Sequence, residues 1–143
     1  MDQMDSTLEM HPLQSSAGAE GFRLRIGGGP RAAGRARHEL SRLRADLDNP
    51  LLESVRLLVT ELVTNSVQHA NADVVELAVL VARDRIRVEV SNPGATFEAK
   101  EGEPGQESES GWGLFLVDRL SDDWGVIDDE AGYQRVWFEI RRS

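Results

Sequence analysis

The 143-residue chain carries 16 Lys+Arg against 25 Asp+Glu, a formal charge of −9, with 40% hydrophobic residues and no cysteine. This length and apolar content suit one core in one domain, and the acidity argues against direct nucleic-acid binding. The missing cysteines exclude disulfides, thiolate nucleophiles and Cys-ligated metals and fit a cytoplasmic protein, while no apolar run approaches the roughly 18 residues of a membrane helix.

Residues 1–20 hold four acids, no Lys or Arg and no apolar periodicity, and read as a disordered acidic tail. The start, MDQMDSTLEM, lacks the basic-then-apolar order of a secretory signal. Phe22 to Ile26 alternates apolar with basic residues, the period of a half-buried strand, and Gly27-Gly28-Gly29-Pro30 stops it. A helix is expected over 31–46, broken by Asn49-Pro50, and a second from Leu51 to about Ala70. In the second, Val55, Leu58, Val59, Leu62, Val63, Ser66 and Ala70 form one core-facing stripe. At about 100° per residue Glu61 and Asn65 lie about 40° apart, on a face well away from that stripe.

Val74–Ala82 and Arg85–Val90 read as a strand pair joined by Arg83-Asp84. The stretch 91–110 combines loop signals with a second acidic run, five glutamates against the chain's one lysine, Lys100, within 98–110. A short helix is expected from Gly113 to about Leu120, then strands at Trp124–Ile127 and Gln134–Arg141. The order β-α-α-β-β-α-β-β predicts an α+β two-layer sandwich, a mixed sheet with helices on one face.

Three places could carry chemistry. Glu61 and Asn65, at i and i+4, could pair a general base with an amide oxygen for a hard cation, although such a pair by itself is more often a solvated helix face. Gly111-Trp112-Gly113-Leu114 opens a helix, where free N–H groups and glycine backbone favour a phosphate; alone it is an ordinary loop-to-helix turn. Ser91-Asn92-Pro93-Gly94 after a strand normally means only a turn. A phosphate loop of the GxxxxGK[ST] type is excluded, because Lys100 is not preceded by its glycines.

Taken in order, these segments resemble the GHKL superfamily, whose ATP site is the Bergerat fold, and within it the single-domain proteins related to anti-sigma-factor serine/threonine kinases. LLVTELVTNSVQHA (57–70) is similar to that branch's asparagine box, GWGLFLVDRLSDDWGV (111–126) to its second glycine box and the strand beyond, and GYQRVWFEI (132–140) to its closing strand. The resemblance implies one ATP-binding domain over 21–143 with a lid at about 95–110. It implies Asn65 as the ligand of Mg²⁺ on ATP, Glu61 as the general base, Asn92 and Gly94 at the adenine, and Gly111, Gly113 and Leu114 at the phosphates. It further implies an anti-anti-sigma (antagonist) protein or a sigma factor as partner; homodimerisation is common in the branch.

Three positions depart from the branch's pattern. Asn92 stands where relatives have an Asp that accepts from the adenine amino group, Thr96 replaces a lid glycine, and Arg135 falls where many relatives place a Thr near adenine. These departures support an alternative, a non-catalytic or weakly ATP-binding interaction module. Lid acids close to phosphates further predict that nucleotide binding depends on Mg²⁺.

Overall fold

Strand alternation and helix periodicity are realised nearly where the sequence places them. The computed structural model describes residues 8–14, 20–45, 47–69, 73–92, 114–128 and 134–142. The elements are β1 (Leu8–Gln14), β2 (Glu20–Gly27), α1 (Ala32–Leu40), a 3-10 segment (Ser41–Ala45), α2 (Asn49–His69), β3 (Val74–Val81) and β4 (Arg85–Ser91). A helix over 114–120, here α3, is followed by β5 (Asp123–Asp128) and β6 (Gln134–Arg141).

The six strands form one sheet in the order β1-β2-β3-β4-β6-β5, and every neighbouring pair is antiparallel. The sheet is therefore not mixed as expected. Two helical passes separate β2 from β3, so the chain re-enters the sheet from the opposite end, whereas a single crossover helix would have made the pair parallel. A second correction concerns residues 1–20. Residues 8–14 are not a disordered tail but an edge strand, with Leu8, Met10 and Pro12 opposite Ile26, Leu24 and Phe22. Pro12 lacks an N–H, which an edge strand tolerates.

One face of the sheet is apolar. Phe22, Val79, Val88, Phe138 and Trp124 face one another in a row across five strands, with Leu24, Leu77, Val90, Val136 and Val126 in the next row. Against this face pack Ala36 and Leu40 of α1, Val55, Leu58, Val59 and Val63 of α2, and Val117 of α3, all fully buried. The hydrophobic effect thus fixes one two-layer core, the α+β sandwich anticipated from the element order.

The opposite face is a charged ladder. Arg25 pairs with Glu76 at 2.9 Å, and Arg87 reaches Glu139 at 3.0 Å and Glu89 at 3.1 Å while stacking over Trp137 at 4.3 Å. Two glycines permit close approach: a Cβ on Gly21 would lie 1.7 Å from the Val79 carbonyl oxygen, and one on Gly125 would meet the Trp137 indole at 2.7 Å.

The helices begin as their sequences dictate. Gly29 adopts φ +137°, a conformation that favours glycine, and its carbonyl accepts from Ala32 N–H at 3.1 Å to start α1. Asp48 caps α2, its Oδ1 accepting from Leu51 N–H at 2.9 Å, with Pro50 in the first turn.

Candidate functional site

α2 and β4 supply the candidate site. The buried stripe of α2, from Val55 to Ser66, turns Glu61 and Asn65 onto a half-buried face one turn apart. Neither side chain has a hydrogen bond or ion pair with the described residues.

Asn92 directly follows β4. Val88 and Val90 face the helices, and period-two alternation puts Asn92 on that same face. Its backbone N–H donates to the Gln134 carbonyl at 3.2 Å, which fixes the residue against the start of β6. Asn92 is only 4% exposed, yet its side-chain Oδ1 is buried without a hydrogen-bond partner. Buried acceptors are almost always paired, and among the described residues none supplies the donor for this one. α2 packs directly on β4, placing the helix of Glu61 and Asn65 beside the strand of Asn92.

The other predicted positions divide in two. Leu114 is half-buried at the start of α3, whereas Gly94, Gly111, Gly113, Thr96 and the expected lid at 95–110 lie outside the described residues. Arg135 is not near Asn92's face. It pairs in register with Ser91, and its Nε stands 3.9 Å from Glu89 Oε1 on the charged side of the sheet. The helix-side position of β6 is Val136, packed against the core. Alternation from Phe138 and Ile140 directs the Arg135 side chain to the helix-free face.

A cleft of about 610 Å³ between α1 and α2 was not anticipated. Arg31, Arg35, Arg37 and His38 line it together with Thr60 and Thr64, which flank the Glu61 face of α2. Arg37 Nη1 donates to Thr60 Oγ1 at 3.4 Å. The cleft's signal in the sequence is three arginines, Arg31, Arg35 and Arg37, within seven residues.

The helix side of the sheet thus gathers Glu61, Asn65 and Asn92 on the open α+β sandwich. The chain matches the histidine kinase-like ATPase domain family over residues 29–140, most of its length, and belongs to that family. It is 33% identical over 103 residues to a serine-protein kinase RsbW of Listeria monocytogenes serotype 4a (strain HCC23), covering 62% of this chain and 66% of that one. It is 32% identical over 94 residues to the RsbW of Bacillus cereus (strain AH187), covering 56% and 59%. The matched stretch thus spans 66% and 59% of these two relatives' length. The fold is similar to a chain of the SiaB–SiaC complex from Pseudomonas aeruginosa, with a TM-score of 0.54, 15% identity, and coverage of 82% of this chain and 89% of that one.

The family implies ATP, and the residues present fit it. The orphaned Asn92 Oδ1 is an acceptor for an exocyclic amino group. For Mg²⁺, the described residues contain no cluster of three or more His, Asp or Glu able to hold a metal by themselves. Mg²⁺ carried on a nucleotide takes only one or two protein oxygens beside phosphate and water, so it would need no such cluster. Among the described residues no helix is long and apolar enough to cross a membrane.

Proposed function

We propose that this chain is a Mg·ATP-dependent protein serine/threonine kinase of the anti-sigma type, acting on a small antagonist protein. The observation that carries the reading is the uncommitted pair Glu61 and Asn65, one turn apart on α2 beside β4. Bound Mg·ATP supplies the phosphoryl group. Asn65 holds the cation through its amide oxygen, and Asn92 accepts from the base.

Glu61 is the general base, drawing the proton from the Ser or Thr hydroxyl as it attacks. No P-loop lysine is needed, because a metal ion and helix-start N–H groups answer the phosphate charge. The protein substrate has a surface to meet: the arginine-lined cleft between α1 and α2 opens beside Thr60 and Thr64 and suits an acidic segment. RsbW relatives named as serine-protein kinases support the same assignment.

A second reading, an interaction module that binds ATP weakly, is favoured by one feature, the neutral amide of Asn92 in place of a carboxylate. A neutral acceptor bonds an amino group about half as strongly as a charged one. Calorimetric titration with Mg·ATP separates the two: micromolar binding supports the kinase, and no binding by the folded protein supports the adapter.

A further inference from the structure

We propose that Asn92 makes the nucleotide site accept 6-oxopurine as well as 6-aminopurine nucleoside triphosphates. The inference rests on the nucleotide-binding reading above and deepens it by naming the class of base.

Asn92 is buried, its backbone is fixed by the bond to Gln134, and its Oδ1 has no partner. No hydrogen bond from the described residues reaches either atom of its amide, so none of them dictates which one faces the base. A carboxylate in this place offers acceptors only. It accepts from the amino group of adenine, whereas toward a 6-oxopurine one oxygen can accept from N1–H but the other meets the 6-carbonyl oxygen, acceptor against acceptor.

A carboxamide offers one acceptor and two donors, and a turn about its Cβ–Cγ bond exchanges them. In one orientation Oδ1 accepts from the 6-amino group while the NH₂ faces the N1 acceptor of adenine. In the other, the NH₂ donates to a 6-carbonyl oxygen while Oδ1 accepts from the protonated N1. Both base edges are satisfied by one side chain. Val90 and Val136, the apolar neighbours on the helix-side face, supply no polar group that would break the tie.

Burial sharpens the consequence. In a desolvated site, rejection of a wrong base comes from polar groups left unpaired, and it reaches large factors only when they cannot re-pair. Asn92 re-pairs, so discrimination at the 6-position is lost.

The test is calorimetric titration of the full chain with Mg·ATP and Mg·ITP, which differ only at the 6-position and N1. The native protein is expected to bind the two within about fivefold. Asn92→Asp is expected to prefer Mg·ATP by about 50-fold or more, chiefly through lost Mg·ITP affinity. Asn92→Ala, which removes the amide without burying a charge, is expected to weaken both about equally. Native protein that binds Mg·ATP but rejects Mg·ITP by about 50-fold overturns the inference. So does an Asn92→Asp protein with an unchanged ratio. If folded native protein binds neither nucleotide, the nucleotide-site reading itself fails, a distinct result.

Discussion

The Arg135 guanidinium stands 3.9 Å from the Glu89 carboxylate on the helix-free face of the sheet. This places Arg135 on the opposite side of the sheet from Asn92. Arg135→Thr should therefore leave Mg·ATP affinity within about twofold of native. Its half-exposed ion pair predicts a stability loss of no more than about 1 kcal/mol. Titration calorimetry and urea denaturation check both; an affinity loss of about tenfold would put Arg135 back at the site.

Two close backbone approaches in the sheet differ in what can yield. A Cβ on Gly21 meets backbone, the Val79 carbonyl, whereas one on Gly125 meets the Trp137 side chain. Gly21→Ala should cost about 3 kcal/mol or more, because β2 and β3 must separate, and Gly125→Ala about 1–2 kcal/mol. Denaturant midpoints give the order directly.

Asp48 ties the first turn of α2 through its bond to Leu51 N–H. Asp48→Ala should destabilise the fold by about 1 kcal/mol, visible in the thermal midpoint. Nucleotide affinity measured well below that midpoint should hardly change, since Asp48 caps the helix at the start and Glu61 and Asn65 lie more than two turns along it.

Asn65 is the proposed protein oxygen on Mg²⁺. Asn65→Ala should weaken Mg·ATP binding by about tenfold or more, and chelating Mg²⁺ should weaken native binding similarly. The variant should respond little to chelation, because its metal contact is already gone. Replacing Glu101, Glu103, Glu107 and Glu109 by Gln should tighten binding if that acidic run closes over the phosphates.

Much of the fold is legible because its signals are local. The stripe from Val55 to Ser66 specifies the buried side of α2, and all of it is buried. Alternation specifies β3, β4 and β6 to within a residue at each end. β1 is not legible, because its strand character depends on β2, a partner met only after the chain turns back. Pro12 and the acidic composition hide the alternation of Leu8 and Met10. The helix expected over 31–46 gives way to a 3-10 turn at Ser41, whose hydroxyl bonds back to the Arg37 carbonyl at 3.4 Å.

The candidate site residues Glu61, Asn65 and Asn92 stand out only through their order along the chain, since spacing alone favours a solvated helix face and a turn. Arg135 shows the hazard of carrying a neighbour across by position. The inward run of Val136, Phe138 and Ile140 already directs residue 135 outward, and that physical rule holds.

The most direct test of the kinase assignment is transfer of labelled phosphate from Mg·ATP to the purified cognate antagonist protein, with Glu61→Gln alongside. The native chain should form phosphoserine or phosphothreonine on the antagonist. Glu61→Gln should bind Mg·ATP as tightly as native yet transfer about 100-fold more slowly or worse. Tight Mg·ATP binding without any phosphoprotein, or native-rate transfer by Glu61→Gln, would contradict the account.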